Sequence, residues 1–112
     1  AFSSPHALQF RQFARMIKLA TGMEVSSKQL RTSAERIYTL ERMMLVNDGI
    51  ARKDDTLPKR YFEEPVPEGP AKGSVIEKQR FNRMLDEYYR LHGWSAEGIP
   101  TIRTLKRLGI ER

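Results

Sequence analysis

Few residues in this sequence have the type and spacing that chemistry demands. His6 and His92 stand alone, with no second imidazole at metal-ligand spacing. His92 precedes Gly93, so it reads as a helix-terminal residue whose charge suits the carbonyl end of the helix dipole. Asp54 and Asp55 are adjacent, and paired carboxylates can perform acid–base work. Adjacent side chains point different ways, however, and Arg52, Lys53, Lys59 and Arg60 flank the pair. A salt-bridged loop is the better reading. Gly69-Pro70-Ala71-Lys72-Gly73-Ser74 contains Lys-Gly-Ser but lacks the spacing and preceding strand of a phosphate loop, so it reads as a turn. The chain has no Cys, hence no thiolate for zinc or an iron–sulfur cluster and no disulfide. The sequence therefore assigns no catalytic, cofactor-binding or metal-ligating residue.

The elements that would position side chains are helical. A first helix is expected over about 5–20, with Ser4 as N-cap, Pro5 at the first helical position and Gly22 past its end. Leu8, Phe10, Phe13, Ile17 and Ala20 make its apolar face, and Arg11, Arg15 and Lys18 lie opposite. A second, longer helix is expected over 27–47, opened by a Ser26–Gln29 capping box and closed by Gly49. Leu30, Ala34, Ile37, Leu40, Met44 and Leu45 form its core stripe, with Glu35, Thr39 and Arg42 off it. Residues 50–76 hold Pro58, Pro65, Pro67 and Pro70, which disfavour a long regular helix. They also carry Leu57, Tyr61, Phe62, Val66, Val75 and Ile76, so an ordered extended arm lying over other structure is expected. A third helix follows over 77–91, with Phe81, Met84, Leu85, Tyr88 and Leu91 (and Tyr89) on one side and an Asp86–Arg90 ion pair. A short fourth helix over 102–108 is capped by Thr101 and Gly109. The fold class is all-α, a single domain over 1–112 with about four helices and the Pro-rich arm between the second and third.

Composition narrows the function classes. The 112 residues include 20 Lys+Arg and 14 Asp+Glu, for a formal charge of +6. Residues 1–62 carry 11 basic and 6 acidic side chains, and residues 63–112 carry 9 and 8. Such a balance raises nucleic acid as a partner. The basic residues are scattered singly, though, without a dense block or an aromatic-interleaved stripe. A solvated or partner-facing helix surface explains them better. No apolar run approaches the roughly 18–20 residues of a membrane span, and no signal peptide is visible, so a cytoplasmic location is expected. The apolar supply is slightly below that of an ordinary globular domain, which points to a thin core or one partly supplied by a partner.

More specific is the order of motifs from Thr21 onward. Glu35-Arg36-Ile37-Tyr38-Thr39-Leu40-Glu41-Arg42 is followed by Gly49-Ile50-Ala51-Arg52-Lys53-Asp54-Asp55-Thr56-Leu57-Pro58-Lys59-Arg60. Then come Glu64-Pro65-Val66-Pro67-Glu68-Gly69-Pro70-Ala71-Lys72-Gly73, Met84-Leu85-Asp86-Glu87-Tyr88-Tyr89-Arg90, Gly93-Trp94 and Gly98-Ile99-Pro100-Thr101. Together they resemble the C-terminal domain of the tungsten-containing aldehyde ferredoxin oxidoreductase family. This chain departs where the family typically reads Leu-Glu-Arg-x-Phe-Asn-x-Arg-x-Gly: Leu45 replaces the usual Asn and Asn47 the usual Arg.

The resemblance implies a larger parent enzyme that oxidises aldehydes to carboxylic acids and passes electrons to ferredoxin. It implies a tungsten (or molybdenum) bis-pterin and a 4Fe–4S cluster, neither held by this chain. The cluster cysteines would lie upstream, which fits the absence of Cys and the start at Ala-Phe-Ser-Ser without Met. The chain is then expected to be a C-terminal fragment, inactive alone, that packs on the remaining domains and helps wall the cofactor and substrate channel. Arg36, Glu41, Arg42, Arg52, Asp54, Asp55 and Arg60 are expected to form a charge network holding the arm to the second helix. The alternative is a stand-alone basic helical module that binds nucleic acid or protein.

Overall fold

The computed structural model describes residues 9–110. The expectations for Ser4, Pro5, His6 and Leu8 lie outside them. The first described helix, α1, spans Phe10–Thr21, with Gln9 in extended dihedrals at its N-cap. Its end at Gly22 is as expected, with the Gly22 N–H donating to Lys18 O at 2.9 Å.

The second helix, α2, spans Ser27–Asn47 and opens on the expected capping box. The Gln29 N–H donates to Ser26 Oγ at 3.1 Å, and the Ser26 N–H donates to Gln29 Oε1 at 2.9 Å. It closes in a Schellman arrangement, with Ile50 N–H on Leu45 O and Gly49 N–H on Val46 O, both at 3.0 Å.

Residues 50–76 are not an extended arm. They fold back on themselves through turns and a one-turn helix, α3 (Arg60–Glu63). Pro58 sits two residues before it, where its missing N–H costs nothing and its carbonyl accepts from the Tyr61 N–H. Gly69–Ser74 forms the expected turn, and the loop around it is closed by Val66 N–H to Ser74 O at 3.0 Å. Among the described residues, only Phe62 of this stretch gains an aromatic neighbour, an edge contact to Phe81 at 5.5 Å. Tyr61, Val66, Val75 and Ile76 stay exposed.

Two further helices follow: α4 (Lys78–His92), ended by Gly93, and α5 (Ile102–Leu108), whose cap Thr101 accepts from the Thr104 N–H. The Asp86–Arg90 pair does not form: Asp86 pairs with Arg52 at 2.6 Å, and Arg90 with Glu87. Among the described residues there is no strand, only a single bridge between Trp94 and Pro100 that closes the turn leading to α5.

The core is small. Leu105, Leu108 and Ile110 bury one another with half-buried Met43 of α2 against them. α1 packs on α2, and α2 packs on α5. The radius of gyration, 18.2 Å, exceeds the ~13 Å of a compact domain of about 100 residues.

The long helix α2 is buried by the side opposite to the one expected. Its buried residues are Thr39 and Arg42, at 1% and 6% exposure. Ile37 and Met44, centres of the apolar stripe, are 59% and 66% exposed. At 100° per residue, Thr39, Arg42 and Met43 face away from the stripe. α4 shows the same split in milder form: Tyr89, Tyr88, Leu85 and Phe81 turn inward, whereas Met84 and Leu91 point out.

Candidate functional site

The most highly organised site is built around Arg42, an arginine in mid-helix whose head group would be costly to bury alone. Each nitrogen of its guanidinium has a partner. Nε donates to Gly98 O at 2.7 Å, and the two terminal nitrogens donate to the carboxylate oxygens of Asp55 at 2.8 and 2.5 Å. This is the bidentate geometry in which Arg and carboxylate bind most tightly. The guanidinium carbon also lies 5.3 Å from the centre of the Trp94 ring and 5.9 Å from that of Tyr89. The Tyr89 hydroxyl donates to Asp55 Oδ2. One side chain thus ties α2 to residues 50–57, to α4 and to the 94–100 turn.

Gly98 allows this closeness. Its φ is +73°, and a Cβ there would lie 2.4 Å from an Arg42 terminal nitrogen and 2.8 Å from the Tyr89 ring. Only glycine accepts both the backbone angle and the contact. Arg52 reinforces the same corner, donating to Ala96 O at 3.0 Å and lying 5.5 Å over the Tyr89 ring.

The electrostatics follow from these partners. Burial pushes the Asp55 carboxyl up, but the hydrogen bonds from Arg42 and Tyr89 and the nearby cations outweigh it and hold it below the usual range. The Tyr89 phenol is pushed up to about 12 by burial and by its bond to the carboxylate. Neither group is poised to exchange a proton near neutrality. Beside them, Tyr38 and Tyr88 share a hydroxyl–hydroxyl bond at 2.5 Å, and burial together with that bond raises the Tyr88 phenol. His92 lies against Tyr88, Trp94 and Tyr38; burial lowers its pKa, opposed by the Glu35 carboxylate. No cluster of three or more His, Asp or Glu able to hold a metal occurs among the described residues.

The seven charged residues singled out from the sequence are placed unevenly. Arg42 and Asp55 form the pair just described, with Arg52 adjoining it. Asp54 turns away and accepts from the Ala51 N–H at 2.9 Å, closing its own turn. Arg36 donates to Leu108 O at 2.7 Å, holding the end of α5. Arg60 stands 4.0 Å from Glu64 on the exposed α3, and Glu41 lines the cleft beside Arg42. Tyr89, Trp94 and Gly98 are the partners that sequence reasoning missed. Gly98 is 56 positions from Arg42, and nothing local in the sequence marks that pairing. Part of the positive charge is used internally: Arg36, Arg42, Arg52, Arg90 and Arg107 all bond to carbonyls or carboxylates.

A family model described as aldehyde ferredoxin oxidoreductase, domains 2 & 3, matches residues 1–110. The tungsten-containing aldehyde ferredoxin oxidoreductase of Pyrococcus horikoshii is 41% identical over 100 residues, 88% of this chain and 16% of that protein. Its counterpart in Pyrococcus furiosus is 38% identical over 96 residues, 85% of this chain and 15% of that protein. An aliphatic sulfonate oxidoreductase, WOR-like subunit, of Pyrococcus furiosus is 33% identical over 96 residues, 80% of this chain and 15% of that protein. Among solved structures, the active site complex BamBC of benzoyl coenzyme A reductase with 1,5-dienoyl-CoA superposes with a TM-score of 0.71 at 27% identity. That match covers 93% of this chain and 14% of that one. The chain spans about 16% of the length of the curated relatives it matches. With the matching helices, the resembling motifs and this similarity along most of its length, the chain belongs to the aldehyde ferredoxin oxidoreductase family.

Proposed function

We propose that this chain is the C-terminal domain of a tungsten-dependent aldehyde:ferredoxin oxidoreductase and that it serves that enzyme as scaffold. In the proposed parent, an aldehyde and water yield a carboxylic acid, and the electrons leave through a 4Fe–4S cluster to ferredoxin. In this reading the ligands of the cluster and of the tungsten or molybdenum bis-pterin are supplied by the rest of the parent. The chain offers no thiolate, and its described acids and imidazoles are not grouped for a metal. Its own residues act by holding shape: the Arg42 clamp fixes the angle between α2 and α4, and the faces so presented pack on the remaining domains and help wall the substrate channel. The location we propose is cytoplasmic; no helix of the described residues is long and apolar enough to cross a membrane.

The carrying observation is the outward apolar stripe of α2, which a free-standing domain would leave wet. Polypeptide containing this chain, purified anaerobically, should hold tungsten by elemental analysis and reduce ferredoxin when given aldehyde. A preparation with no tungsten or molybdenum and no aldehyde-dependent reduction refutes the proposal.

A further inference from the structure

Between α2 and α4 lies an open cleft of about 460 Å³. Its walls include Tyr38 and Leu45 from α2, Phe81, Leu85 and Tyr88 from α4, and Trp94 beyond α4. The helices meet through the Tyr38–Tyr88 bond and through Arg42 and Tyr89, so the cleft is held open from within. The size would suit a small molecule, but such sites carry convergent polar groups that fix a ligand's orientation. Glu41, Asp54 and Thr56, all exposed, also line the cleft, but the polar groups around Arg42 are already satisfied. Each Arg42 nitrogen is engaged, the Tyr89 hydroxyl is committed to Asp55, and the other two phenols bond each other.

The apolar surface also extends beyond the cleft. Ile37 and Met44 continue it along α2, and Met84 continues it on α4, one helical turn from both Phe81 and Tyr88. An apolar groove between two helices with exposed apolar shoulders is what an inserted polypeptide segment requires. The curated relatives have most of their length outside the matched region, which leaves ample chain to supply it.

We infer that the α2–α4 groove seats an apolar segment of the same polypeptide, from outside residues 1–112. The inference rests on the reading of the chain as one domain of a larger enzyme. The segment presents aliphatic or aromatic side chains to Tyr38, Leu45, Phe81 and Leu85, and its far side covers Ile37 and Met44.

The test places the photo-crosslinker p-benzoylphenylalanine at Leu45, and separately at Phe81, in the full-length polypeptide. Phe81 is an aromatic-for-aromatic exchange in case the Leu45 variant does not fold. On irradiation, the expected product is an adduct joining the substituted position to a peptide outside residues 1–112, with the mass on a denaturing gel unchanged. A doubled mass, which signals a second copy, overturns the inference. So does an adduct confined to residues 1–112, an adduct to a small molecule, or no adduct from either position. Tungsten content of the same preparation separates the two readings: an adduct without metal keeps the groove and removes the enzyme, and metal without an adduct does the reverse.

Discussion

Replacing Asp55 with Ala should open the corner where α2, α4 and the 94–100 turn meet. The substitution leaves the Arg42 guanidinium, 6% exposed, with no counter-charge and two unpaired donors. Removing one partner of a buried pair costs about 3–5 kcal/mol. Asp55 itself is 23% exposed, so water can reach the vacated site, and the lower end, about 3 kcal/mol, is expected. The assay is amide hydrogen exchange in the full-length polypeptide at Arg52, Trp94 and Gly98. Their N–H groups bond to Glu97 O, Tyr89 O and Ser95 O around the clamp. A local loss of 3 kcal/mol speeds exchange there by roughly 150-fold. Gly22, at the far end of α1, should exchange unchanged. Tyr89→Phe alone should cost about 1.5–3 kcal/mol, as for a hydrogen bond to a charged group. In the Asp55→Ala background it should add less than about 0.5 kcal/mol, because the phenol's acceptor is already gone. Full additivity, or an Asp55→Ala acceleration below about threefold, refutes the reasoning.

Three further outcomes follow from the same geometry. Gly98→Ala should destabilise well beyond Gly22→Ala: both glycines have positive φ, but a Cβ meets nothing within 4 Å at Gly22 and a guanidinium nitrogen at 2.4 Å at Gly98; equal losses of thermal stability would show that the contact relaxes freely. The depressed pKa of Asp55 makes its contribution complete above its unfolded value, about 3.9, and progressively lost as pH falls through the lower folded value. Exchange protection at Gly98 should therefore fall on acidification in the wild type, and an Asp55→Asn variant should lack that component. Thr39→Val should stabilise by about 1 kcal/mol, because the Thr39 hydroxyl is buried with no partner among the described residues and the swap keeps its shape. A destabilised Thr39→Val in denaturant titration would mean that the hydroxyl finds an acceptor in the folded protein.

Caps and helix stops are decided locally and match the sequence, whereas the local Asp86–Arg90 pair gives way to partners on either side, Arg52 and Glu87. The capping box at Ser26 and Gln29, the glycine stops at Gly22, Gly93 and Gly109, and the Thr101 cap are each decided by residues within one turn. The turn around Gly69 and Gly73 belongs with them. The Arg42 clamp was half legible. A buried Arg needs a carboxylate, and Asp55 lies 13 positions away, but Asp54 is as near in sequence and faces its own turn instead. Trp94 and Gly98 enter only because α4 brings the following turn back against α2, and no periodicity encodes that return. The extended-arm expectation failed for a related reason. Prolines at 58, 65, 67 and 70 forbid a long helix, but they do not forbid a single turn between two of them.

The reversed burial of α2 is a different kind of failure. Periodicity identified the apolar stripe correctly and assigned it to a core that these residues do not contain. Within the chain, α2 spends its polar side on Thr39 and on an arginine that needs a carboxylate, a carbonyl and two aromatic rings to be tolerable. A helix that had to satisfy only this domain would have no reason to bury Arg42 and expose Ile37 and Met44. Two surfaces on one helix explain both choices. The polar side is fixed internally, by directional bonds that set the angle to α4. The apolar side is left for contacts that depend on shape and area. The internal clamp therefore comes first in the logic of the fold, because it aims the groove that the proposed apolar segment would fill.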